Sequence, residues 1–176
     1  MLNSLYIKNV AVIDKLEITF HNGMSVLTGE TGAGKSIIID SINMILGDRA
    51  KKELVRYGTE KAQVQAVFES NKRLDDILKQ NDIDTEDGEV IITRTVFADG
   101  RSNAKINGMT VPLSILREAA DCLINIHGQH DNQALLTPSK HIRFLDSYAK
   151  DEHELEDYKT LYNELKEIKS ELDSLH

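Results

Sequence analysis

Residues 29–36 read Gly29-Glu30-Thr31-Gly32-Ala33-Gly34-Lys35-Ser36. They match G-x-x-x-x-G-K-[ST], the phosphate-binding loop, and each fixed residue type has a physical task. Glycines let the backbone take positive φ and bring N–H groups close to phosphate oxygens. A helix starting near Lys35 aims its positive dipole end at the same oxygens. Lys35 would reach the β- and γ-phosphates, and the Ser36 hydroxyl would ligate Mg²⁺. A random match in a chain of this length has a chance on the order of half a percent. The alternative is a glycine-rich turn that holds no ligand.

The flanks favour the phosphate loop. Met24 to Thr28 is expected as a short strand running into it, and Lys35 to Leu46 has helical length without Gly or Pro. Gly47 follows as a plausible helix stop. Upstream, Leu16, Ile18 and Phe20 alternate with Glu17 and Thr19, a period of two that predicts one buried strand face. Downstream, 62–69 alternates again, 72–80 reads as a short helix, and 89–97 is β-branched and strand-like. Asp99-Gly100 and Asn107-Gly108 are hairpin turns bracketing a strand at 102–106. Residues 62–111 therefore read as an antiparallel lobe. A helix at 113–121 and a buried strand at 122–127 complete the body, with a mixed sheet expected around the loop's helix.

Composition narrows the class. The chain has 176 residues, 40% of them apolar but only 5% aromatic, with no Trp, so the core must be aliphatic. No apolar run approaches the roughly 18 residues that cross a bilayer, and the N-terminus lacks signal-peptide order. The lone Cys122 excludes an internal disulfide and fits a reducing cytoplasm, most simply as a small apolar side chain. The net charge of −8 excludes a uniformly basic nucleic-acid coat. Residues 146–176 alone hold ten acidic and four basic residues, so the body is nearly neutral and a local basic face remains possible. In that tail Tyr158, Leu161, Leu165, Ile168, Leu172 and Leu175 follow a heptad spacing. Such a narrow stripe asks for a partner helix; packing on its own domain is the alternative.

Other parts of a nucleotide hydrolase are missing. Ile37-Ile38-Ile39-Asp40 mimics a Walker B strand but lies within the loop's helix, and Cys122 to Ile126 ends in His127 instead of Asp. The segment 127–133, HGQHDNQ, should lie at a strand's C-terminal end, where α/β sheets bind ligands. Gln129 or Gln133 would there orient a water or touch Mg²⁺. His127, His130, His141 and Asp131 fit no standard zinc spacing. A polar loop that merely closes the fold is the alternative.

The strand pair, GETGAGKS, LGDRA (46–50), ELVRYGTEKAQVQAVFE (53–69) and INIHGQHDNQ (124–133) together resemble the N-terminal head segment of the bacterial RecN family of DNA-repair proteins. That family is similar to the SMC proteins and belongs with the ABC-type ATPases. The resemblance covers residues 1 to about 150, and 151–176 falls where the family's coiled coil begins. It implies an α/β P-loop fold of the ABC/SMC head type. The head would be completed by the C-terminal end of the same protein, which brings the signature, the Walker B Asp and the catalytic Glu. Two heads would sandwich ATP with Mg²⁺ in a homodimer. Carried over, Gly29 to Ser36 hold the triphosphate, and Lys35 and Gln129 serve catalysis, with Gln129 also contacting Mg²⁺ and Gln133 as fallback. Arg49, with Lys51 and Lys52, sits where such heads carry a basic loop near nucleotide or DNA; a solvated helix end is the alternative. The implied role is recombinational repair of DNA double-strand breaks, with double-stranded DNA as partner, in the bacterial cytoplasm at the nucleoid and away from membranes. The competing readings are a self-contained P-loop NTPase or kinase not acting on DNA, and an interaction module built on the heptad tail.

Overall fold

The computed structural model describes residues 1–29, 34–85, 87–124, 126, 138–149 and 152–174. The chain divides into two compact units, Met1–Asn125 and Ile126–His176. The first is built on six strands: β1 (Leu2–Val10), β2 (Ile13–Thr19), β3 (Lys61–Glu69), β4 (Glu89–Phe97), β5 (Ser102–Ile106) and β6 (Met109–Val111). They form one sheet in the order β2-β1-β3-β4-β5-β6. Every pairing among these described strands is antiparallel, so the expected mixed sheet is not what they form. Residues 62–111 supply β3 to β6, and β1 and β2 continue the same sheet.

The period-two patterns set which face is buried. Ala62, Val64, Ala66 and Phe68 of β3 lie beside Leu5 and Ile7 of β1 and Val90, Ile92 and Val96 of β4, all inaccessible or nearly so. Each large aliphatic side chain buried this way contributes roughly 1.5–3 kcal/mol. Phe68 pairs with Val90, and Ala66 with Ile92, so one register brings all of these onto a single face. The opposite face carries Tyr6, Gln63, Gln65, Thr93, Thr95 and Lys105, all half-buried.

Three helices cover the apolar face. Helix α1 (Lys35–Ile45) lies against β1, β3 and β4. Helix α2 (Lys72–Gln80) packs with α3 (Leu113–Ala120), which lies against β5. Asn71 caps α2: its Oδ1 accepts from the Leu74 N–H at 3.0 Å, and its Nδ2 donates to the Cys122 carbonyl at 3.1 Å. Helix α1 ends in a Schellman motif, with the Gly47 N–H on the Met44 carbonyl and the Asp48 N–H on the Asn43 carbonyl. Gly47 has φ +94°, and its carbonyl accepts from Arg117 Nε at 2.9 Å. The sequence's stop signal is thus also a tie between α1 and α3.

Two predicted strands are not formed by the described residues. Residues 24–28 make no ladder, and Met24 and Val26 are 90% and 66% exposed. Residues 121–123 turn at the end of α3, Ile124 follows without strand pairing, and Asn125 and His127 lie outside the described residues. Both segments are apolar enough for a buried strand, but a strand needs hydrogen-bonding neighbours. Cys122, Leu123 and Ile124 are half-buried and rest against the core. The second unit holds α4 (Pro138–Ala149) and α5 (Glu152–Ser174). Along α5, Tyr158, Leu161, Leu165, Ile168 and Leu172 are between 50% and 65% exposed, a continuous apolar stripe.

Candidate functional site

Gly29 and Gly34 bracket the phosphate-loop sequence with φ of +153° and +111°. A Cβ at either position would meet nothing within 4 Å, so backbone conformation and not crowding demands glycine. Gly34 caps α1 and has no side chain to satisfy the first-turn N–H groups. The first turn carries no acidic residue, so no carboxylate competes with an anion at the positive end of the helix. Lys35 opens α1, and its Nζ donates to the Gly29 carbonyl, placing the ammonium across the mouth of the loop. Ser36 follows, exposed. Glu30, Thr31, Gly32 and Ala33 lie outside the described residues.

Beside this loop is a cavity of about 470 Å³. Residues 12–16, at the start of β2, line it together with Leu27, Thr28, Gly34, Lys35 and Ile38. Aliphatic Val12, Ile13, Leu16, Leu27 and Ile38 share the lining with charged Asp14, Lys15 and Lys35, and its size suits a nucleoside-sized group. The part played by residues 12–16 is not legible in the sequence. The period of two in β2 marks Leu16 as inward-facing, but nothing local says that the turn before β2 folds against the phosphate loop.

Of the other sequence-predicted residues, Gln129, Gln133, His127, His130 and Asp131 lie outside the described residues. His141 is exposed on α4, and among the described residues no cluster of His, Cys, Asp and Glu is suited to a metal ion. Ile37 to Asp40 lie inside α1, which excludes them as a Walker B strand. Arg49, Lys51 and Lys52 are exposed after the end of α1, and none of them lines the cavity.

Comparison with known proteins gives a consistent picture. The model of a family described as an AAA domain matches residues 4–176. The DNA repair protein RecN of Bacillus subtilis (strain 168) is 43% identical over 151 residues, covering 85% of this chain and 26% of that protein. The chain thus spans about a quarter of the length of that relative. Among solved structures, an Smc head domain with a coiled coil and joint, derived from Pyrococcus yayanosii, superposes with a TM-score of 0.62 at 25% identity. It covers 99% of this chain and 40% of that one. A chain from a structural study of ATP-driven dimerization and DNA-stimulated activation of SMC ATPases gives 0.59 at 26% identity, covering 82% of this chain and 97% of that one. The expected fold class, an α/β P-loop head of the ABC/SMC type with the start of an arm, is the one these likenesses show.

Proposed function

This chain belongs to the AAA domain family and is RecN-like in sequence, and from that premise we propose that it is the ATP-binding part of an SMC-like head acting in DNA repair. The observation that carries the proposal is the pair of left-handed glycines bracketing the loop, with Lys35 reaching across its mouth. Gly29 to Ser36 would wrap the triphosphate with backbone N–H groups, and the Lys35 ammonium would neutralise the β- and γ-oxygens. Ser36 and Gln129 would hold Mg²⁺, which supplies further charge neutralisation when bound. In hydrolysis a water oxygen attacks the γ-phosphorus, the bond to the β–γ bridging oxygen breaks, and ADP and phosphate leave. Gln129 would orient that water. Arg49 would contact nucleotide or DNA.

Residues 1–150 are proposed as the N-terminal part of the head and 151–176 as the start of a coiled-coil helix. The partners would be the C-terminal half of the same head, a second head across the nucleotide, and double-stranded DNA at breaks, in the cytoplasm at the nucleoid. Two features favour a head completed from elsewhere. The apolar segment 24–27 is exposed where a central strand would be paired, and α5 presents an apolar stripe. Among the described residues no helix is long and apolar enough to cross a membrane.

The test is steady-state ATP turnover by this chain, alone and after addition of the rest of its parent protein, with Lys35→Ala as control. Turnover that appears only on addition, and vanishes in Lys35→Ala, is the expected result. Lys35-dependent turnover by the chain alone would mean a complete site and would refute the half-head reading.

A further inference from the structure

Resting on the phosphate-loop reading, we propose that Arg56 is a positioning residue for the nucleotide cleft. It fixes the β1–β2 turn whose continuation forms the wall facing the nucleoside. The turn adopts an unfavourable backbone: Asn9 and Ala11 have φ of +55° and +48°, the left-handed region. Asparagine tolerates it, but alanine has no such disposition, so other contacts must hold the turn.

Those contacts come from residues 54–61. The Ala11 N–H donates to the Leu54 carbonyl at 2.8 Å, and the Arg56 N–H donates to the Asn9 carbonyl at 2.9 Å. Val10 and Val55 form an isolated antiparallel bridge. Asn9 Nδ2 donates to the Lys61 carbonyl at 3.3 Å. The Arg56 guanidinium adds the final tie, with Nη1 donating to the Val12 carbonyl at 2.7 Å and to the Ala11 carbonyl at 3.5 Å. Val12 is 69% exposed and does not join the hydrophobic cluster, so hydrogen bonds set its place, not packing. Yet Val12, followed by Asp14 and Leu16, lines the cavity together with Lys35 and Ile38. Both bonds leave one nitrogen, Nη1, whose two N–H groups pin two successive carbonyls of the turn. Arg56 would act through this wall, which we assign to the nucleoside, without itself touching the phosphates.

The test compares two ligands on this chain by calorimetry. Tripolyphosphate reports the phosphate loop alone; ATP reports the loop plus the nucleoside wall. Arg56→Ala should weaken ATP about tenfold, the scale of one charge-assisted hydrogen bond, and leave tripolyphosphate within about twofold. Arg56→Lys should recover part of the loss. Hydrogen exchange at the Ala11 amide should quicken in Arg56→Ala, while the amides of Val64 and Ile92 stay protected. Equal weakening of both ligands, no weakening of ATP, or unchanged exchange at Ala11 each overturns the inference. Lys35→Ala should weaken both ligands. If it weakens neither, or the unaltered chain binds neither, the phosphate-loop reading fails and takes the Arg56 inference with it.

Discussion

Gly47→Ala should destabilise the first unit by about 2–3 kcal/mol, from two separable sources. The first is backbone: φ is +94°, and a Cβ in this region costs about 1–2 kcal/mol. The second is contact: the new Cβ would sit 2.6 Å from Arg117 Cγ, a distance real side chains do not tolerate. Arg117 must swing away and give up its 2.9 Å bond from Nε to the Gly47 carbonyl. A partly exposed bond of this kind is worth about 1 kcal/mol. Urea unfolding of the full chain, followed by circular dichroism, measures the sum. The apportioning comes from a double-mutant cycle with Arg117→Ala. Without the Arg117 side chain, Gly47→Ala should cost only its backbone part, leaving a coupling of about 1 kcal/mol. A coupling near zero would refute the claim that the Schellman turn and α3 are tied through Arg117. A total cost under about 0.5 kcal/mol would refute the turn geometry itself.

Arg94 lies on the buried face of β4 at 4% exposure, with Nε unpartnered and Nη2 donating to Ser102 Oγ at 3.0 Å. Burial, and then the neighbouring Arg117, lower its pKa. Replacing such a charge with an apolar side chain of similar length is commonly neutral or stabilising, so Arg94→Met should raise the urea midpoint by the equivalent of about 1–2 kcal/mol; a loss above about 1 kcal/mol would show a partner that matters. The Asp99 carboxyl is held below the usual carboxylate range by hydrogen bonds from the Arg101 N–H and then its side chain. Its contribution is therefore present above the ordinary carboxylate pKa and is lost as pH falls through the lowered value. Asp99→Asn should flatten that acid limb in pH-dependent unfolding, and an unchanged limb would remove Asp99 from it. Leu161→Lys and Leu165→Lys alter side chains 65% and 50% exposed, so unfolding of the first unit should change by less than about 0.5 kcal/mol. A larger loss would mean that the heptad stripe packs on the chain's own body.

What the sequence made legible was what neighbours along the chain decide. The alternation in 62–69, the β-branched run 89–97, the Asn-Gly turn and the helical reading of 72–80 act over a few residues, and β3, β4, β5 and α2 stand where those patterns place them. The start of α1 after Gly34 belongs to the same class, since glycine spacing and a following helix are local. Arg94 was half-visible: it shares the parity of Ile92 and Val96, which points it inward, but a strand pattern does not say what an inward arginine will find. Residues 24–28 and the described residues of 122–127 carry no strand, because an apolar run records only a preference for burial. A strand exists when another strand completes its ladder, and on the proposed reading those partners belong to the other half of the head. The turn held by Arg56 was illegible for the same reason: nothing in 9–12 announces that residues 54–61, some forty-five positions later, will satisfy its carbonyls. On the proposed reading the chemistry of the phosphate grip is written in eight consecutive residues. The shape of the cleft around it is written in long-range hydrogen bonds, and a substitution at Arg56 would alter the cleft without touching the motif.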